Sequence, residues 1–211
     1  MKTFTVFIVC LGCCSSAFAQ APDSFQPDIP VSLVARVDAA KQKQIDGKDL
    51  DAAEAELKAV LQERPDYYRA LYNLGLIYQT QGKTDQALRI LEKAKKLRDS
   101  LRISDNSILN SLGWVYMNAG KLDEAESTFL EALRHERENK PANNERLLNN
   151  LGYLYLQKGD TTKARSYLQR SINEFHSAGA LKVIKMADEY DERQKELKTK
   201  ASVKAHEVRP Q

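Results

Sequence analysis

Two helical patterns alternate along the middle of this chain. Ala87, Leu91 and Ala94, and again Ala125, Phe129 and Ala132, keep the i, i+4, i+7 spacing of a helix with one buried stripe. Ahead of each stripe stands a Leu-Gly-x-x-Tyr pentad, at Leu74 to Tyr78 and Leu112 to Tyr116, with a third at Leu151 to Tyr155. The pentad glycines, Gly75, Gly113 and Gly152, recur 38 and then 39 residues apart. After each comes a second Gly seven residues on (Gly82, Gly120, Gly159), then an Ala five residues later (Ala87, Ala125, Ala164). A large apolar residue follows four positions further (Leu91, Phe129, Leu168). A period of this length with small and large residues at fixed offsets predicts a helical solenoid.

Each mark has a physical reading. Gly in mid-helix costs about 0.5–1 kcal/mol relative to Ala, so Gly75, Gly113 and Gly152 imply a backbone closely approached by its partner helix. Gly82, Gly120 and Gly159 fall where the first helix ends and suit a left-handed residue after the C-cap. Asp85, Asp123 and Thr161 or Thr162 are expected in the first turn or cap of the second helix.

On these residues the chain resembles the tetratricopeptide repeat family, whose unit is a helix-turn-helix of about 34 residues with a W-x-x-L-G-x-x-Y…A-x-x-x-F…P pattern. Leu71, Leu109 and Leu148 stand at the Trp position. The extra residues of each unit fall around 98–105 and 137–144, read as longer second helices or longer turns. The resemblance implies an all-α, right-handed superhelical solenoid of about four helix-turn-helix repeats. Three full units are expected over 67–104, 105–143 and 144–177. A degenerate unit over 31–66 carries Gly47, Ala53, Leu57, Val60 and Pro65 but no pentad, as an atypical terminal repeat would. Val183, Met186, Ala187 and Tyr190, spaced i, i+3, i+4, i+7, predict a capping helix over 178–198 that turns its polar face to water. Residues 199–211 are expected to form a disordered basic tail.

The start of the chain follows another logic. Lys2, an apolar run from Phe4 to Cys14 and Ala17-Phe18-Ala19 make residues 1–19 a secretory signal peptide, cut after Ala19. It is too short for a transmembrane span. Residues 20–30, with Pro22, Pro27 and Pro30, read as a flexible leader. All three cysteines, Cys10, Cys13 and Cys14, lie in the signal, so no disulfide is expected in the mature chain. Leu11-Gly12-Cys13 resembles a bacterial lipoprotein processing site, but Cys10 occupies the place where that motif wants Leu. A periplasmic or secreted location follows, with membrane attachment disfavoured.

The search for chemistry finds little. His135, His176 and His206 are far apart, and none has a second metal ligand at i+3 or i+4 beyond Glu138 after His135, which reads as a solvated charged face. No phosphate-cradling, dinucleotide-binding or nucleophile-elbow motif occurs, so neither catalytic residue, metal nor cofactor is expected. The net charge of +3 arises from interspersed acids and bases rather than a concentrated basic face, which argues against nucleic acid. The exception is the stretch from Arg193, with Lys195, Lys198, Lys200, Lys204 and Arg209, which can meet an anionic surface or simply solubilise the end.

By the family resemblance, six positions of each first helix line the concave surface. The residues singled out there for peptide binding are Arg69, Tyr72 and Asn73; Asn110, Trp114, Met117 and Asn118; and Arg146, Asn149, Asn150, Tyr153 and Gln157. The Asn amides both donate to and accept from a peptide backbone, and the aromatics are frequent interface anchors. The competing reading has Asn73 and Asn150 bonding between repeats and Trp114 filling space against the adjacent helix. Tyr78, Tyr116 and Tyr155 are read as structural. A carboxylate clamp is not supported, because Leu76, Asn110 and Ser111 occupy positions that would need Lys or Arg. The expected function is binding of a protein or peptide in the groove, as adaptor or assembly factor. The alternative is an envelope-attached array that self-associates.

Overall fold

The computed structural model describes residues 26–47, 49–103, 105–138 and 144–207. The expected signal peptide and residues 20–25 of the leader lie outside them. Among the described residues there are nine helices and no strand: α1 Val31–Asp46, α2 Leu50–Glu63, α3 Tyr68–Thr80, α4 Thr84–Ser100, α5 Ser107–Asn118, α6 Leu122–Glu138, α7 Asn144–Gln157, α8 Thr161–Phe175 and α9 Ala178–Glu207. They form a superhelical solenoid of antiparallel helix pairs, with α9 on the last pair. Backbone contacts join each helix to the next in the chain and also α1 to α3, α3 to α5, α5 to α7 and α7 to α9.

The repeated residues account for this architecture. A Cβ built on Gly75 would lie 2.3 Å from Leu91 Cδ2, on Gly113 2.6 Å from Phe129 Cε1, and on Gly152 2.4 Å from Leu168 Cγ. The small and the large residue of each unit are therefore the two sides of one contact. Gly82, Gly120 and Gly159 end α3, α5 and α7 at φ 70°, 74° and 77°, the left-handed region that favours Gly. The second helices α4 and α6 run to 17 residues each, against 14 in α2 and 15 in α8, so part of the added length of the middle units lies in those helices.

Polar contacts tie consecutive units. Tyr116 donates its hydroxyl to Glu92 Oε1 at 2.7 Å and Tyr155 to Glu126 Oε1 at 2.6 Å. Lys58 and Lys83 meet the two oxygens of Glu54 at 2.6 and 2.8 Å. Arg98, buried at the end of α4, donates Nε to the Asp105 carbonyl, Nη1 to Asp99 and Nη2 to Asn106 Oδ1. It thereby closes the link into α5.

Three expectations are corrected. Residues 26–30 are not a loose leader: Gln26 is 6% exposed, its amide donates to the Asp66 carbonyl at 2.8 Å, and its Oε1 accepts from Tyr68 N at 2.7 Å. Ile29 is buried beside it in sequence, so apolar burial and two hydrogen bonds outweigh the prolines. The last helix does not stop at 198. It continues through Glu207, because no Gly or Pro interrupts the chain between Gly179 and Pro210. Thr161 and Thr162 do lie in the first turn of α8, as expected, behind the cap Asp160, whose side chain accepts from Lys163 N. Met117, expected in the groove, is 2% exposed and part of the core: its position faces back into the array.

Candidate functional site

The first helices of the units line a concave trough of 690 Å³. Its walls come from α1 (Lys41, Gln44, Ile45), α3, α5 and α7. Seven of the residues selected from sequence reach it: Arg69, Tyr72, Asn73, Asn110, Trp114, Arg146 and Asn150. Tyr153 and Gln157 instead line a smaller cavity between α7 and α9. Asn118 is exposed outside both. Asn149 turns to the start of α9, where Nδ2 donates to Ser177 Oγ at 2.9 Å and Oδ1 is buried without a partner.

Several trough residues bond to one another across repeats. Asn150 Nδ2 donates to Asn110 Oδ1 at 2.9 Å, joining α7 to α5. Trp114 stacks on Tyr153, with ring centroids 6.1 Å apart and planes 27° from parallel. The Tyr72 hydroxyl is 3.4 Å from Ser111 Oγ, and its ring stacks on Tyr68 at 6.4 Å. Arg69 pairs with Asp38 on α1. Asn73 donates to the Arg69 carbonyl one turn back in its own helix, at 2.7 Å. The competing reading thus holds for Asn150, which bonds between repeats, while Asn73 bonds within α3.

The donors left facing the trough are mostly neutral. Burial and then the Asp105 carboxylate push the Tyr68 hydroxyl far above the usual phenol range, and burial likewise raises Tyr72. Both therefore stay protonated. Tyr68 donates to Asp105 Oδ2 at 3.3 Å, and Asp105 Oδ1 accepts from Ser107 N at 2.9 Å. Gln79, also on the trough wall, has a buried Oε1 without a partner. Amide, hydroxyl and indole groups in this arrangement suit the alternating N–H and C=O groups of an extended chain. Among the described residues no group of three or more His, Cys, Asp or Glu could hold a metal ion. No helix among them is long and apolar enough to cross a membrane.

Sequence reasoning missed the α1 wall, because α1 lacks the pentad from which groove positions are counted. It also missed Asp105, which sits on a link rather than a helix, and the contribution of α9, which was read as a cap. The i, i+3, i+4 run of Met186, Glu189 and Tyr190 was the available signal.

Comparison with known proteins agrees with this architecture. Models described as Tetratricopeptide repeat match residues 44–100 and 104–173, together more than half of the chain. The mouse and human proteins called Protein O-mannosyl-transferase TMTC2 are each 36% identical over 73 residues, 35% of this chain and 9% of theirs. The chain therefore spans less than a tenth of the length of those curated relatives. The structure of pilF from Pseudomonas aeruginosa superposes with a TM-score of 0.63 at 20% identity, covering 77% of this chain and 72% of that one. A putative kinesin light chain from Podosopora anserina with nearly identical TPR-like repeats gives 0.63 at 18% identity, covering 87% and 100%. At such identities the likeness concerns the fold.

Proposed function

This chain belongs to the tetratricopeptide repeat family, and on that premise we propose that it is an exported adaptor or assembly factor holding an extended segment of a partner protein in its trough. The observation that carries the reading is the row formed on the trough wall by the Asn110–Asn150 pair and by Trp114, which is backed by the Tyr153 ring. An amide pair supplies donors and acceptors irrespective of peptide sequence, and a half-buried indole supplies an anchor.

The test begins with a partner cross-linked in native envelope extract and its contact segment resynthesised as a peptide. Trp114→Ala should weaken peptide binding by about 2 kcal/mol or more, and Asn110→Ala by about 0.5–1.5 kcal/mol. Both side chains also join repeats, so the circular-dichroism melt should drop, for Trp114→Ala by the aromatic pair, about 0.5–1.5 kcal/mol, together with the apolar area the indole buries. Affinity lost only in step with unfolding would return these residues to inter-repeat packing. Export is checked by intact mass: the mature chain should begin at Gln20. An acylated Cys13 or Cys14 would favour the envelope-attached alternative instead.

A further inference from the structure

The α9 helix does more than cover the last repeat. Ala180 and Ala187 bury one face of it. On another face Met186 and Tyr190 oppose Tyr153 and Leu156 of α7 across a 270 Å³ notch, with Gln157, Glu189 and Arg193 also lining it. The neighbouring α9 positions Lys182, Lys185 and Asp188 are charged and exposed, as a solvated face would be. Met186, 39% exposed among them, departs from that pattern.

We propose that this notch is an anchor subsite that takes one apolar side chain, aliphatic or aromatic, of the same extended segment that lies in the trough. The proposal rests on the peptide-binding reading of the trough. Tyr153 stands between the two cavities, since its ring stacks on Trp114 of the trough on one side and walls the notch on the other, so a segment leaving the trough meets the notch next. Their linings differ in kind. The trough offers mainly amides, hydroxyls and charged groups, which suit a backbone, whereas the notch is walled by Tyr153, Leu156, Met186 and Tyr190. A thioether and two phenol rings adapt to different apolar shapes. Against about 30 Å³ per water molecule, the notch has room for one large side chain. Glu189 and Arg193 carry opposite charges, so the notch offers no net charge to draw a charged group away from water.

Spacing follows from helix and strand geometry. Asn150 and Leu156 are six residues apart on α7, about 9 Å at the helical rise. An extended chain advances about 3.3 Å per residue. The apolar anchor therefore falls at least about three residues from the backbone gripped by Asn110 and Asn150.

The experiment pans the full chain against phage-displayed random linear dodecapeptides, then measures one enriched, resynthesised peptide by fluorescence polarisation. The enriched sequences should share one aliphatic or aromatic residue. Replacing it with Ala should weaken binding about tenfold to the unaltered protein and hardly at all to Met186→Glu. Met186→Glu should itself weaken the original peptide by a similar factor and change the melt little, because the side chain lies outside the buried core and is 39% exposed. Binding abolished by Trp114→Ala but indifferent to both Met186→Glu and the anchor replacement would overturn the notch and leave the trough standing. Binding lost with Met186→Glu yet untouched by Trp114→Ala would overturn the shared segment. A dimer in sedimentation that Met186→Glu dissociates would also overturn the proposal, showing a second copy of the chain as the occupant. Failure to enrich any peptide would count against trough and notch together.

Discussion

Gly113 shows at the scale of one residue how a sequence mark becomes a contact. The nearest atoms to its missing side chain belong to Phe129, itself fully buried. Gly113→Ala should therefore destabilise by about 1–3 kcal/mol through overpacking, despite the better helix propensity of Ala, and a denaturant melt will read the loss. This contact was legible in the sequence, since the recurrence of Gly and a large apolar residue at one offset is the trace of the two surfaces meeting. Glu54 was not. In sequence it is one acid among many, but folding leaves it 9% exposed between Lys58 and Lys83. Burial alone would raise its pKa; hydrogen bonds from the two ammonium groups outweigh burial and carry it from 4.5 to about 2. A carboxylate depressed on folding stabilises the native state above its unfolded pKa, and that contribution is lost as pH falls through the folded value. Stability should thus decline between about pH 4.5 and 2 more steeply in the unaltered protein than in Glu54→Gln. The difference, about 1–3 kcal/mol, is measurable from melts across that range. The i,i+4 spacing to Lys58 is visible locally, but the burial of Glu54 is not, because Lys83 reaches it from the next unit.

Among elements, the middle pairs were the most readable and the two ends the least. The pentads fix the register of α3, α5 and α7, whereas α1 has only scattered apolar residues and α9 a charged surface. That is why the α1 side of the trough and the notch emerged only with the fold. The extent of α9 also depends on the balance between its two parts. Up to Gln194 it keeps residues at least partly covered by the array, and from Lys195 through Ala201 every residue is exposed, with Leu197 at 53%. Deleting residues 197–211 should change the melt by no more than about 0.5 kcal/mol, the ordinary scale for exposed positions. Ending the chain before Lys182 removes Ala187 and Tyr190 from the core cluster and its margin. That truncation should lower the melt markedly, with hydrogen exchange rising first in α7 and α8.

The whole molecule has no central closure: each unit is held by its neighbours, and its stability is a sum of repeat and junction contributions. Its family and all-helical architecture could be read from the spacing of a few small and large residues. Its trough could be read only in part, because residues that line a concave surface also serve as fasteners between units, as Asn150 and Trp114 do. The hydroxyl links from Tyr116 to Glu92 and from Tyr155 to Glu126, with Lys158 paired to Asp123 and Glu126, give the array a mechanical character. The apolar contacts act as stiff coils, and the ionic clasps between them behave as soft springs whose strength falls as salt screens them. Added salt should therefore weaken the junctions between units before it disturbs the packing inside them, which hydrogen exchange at low and high salt will read.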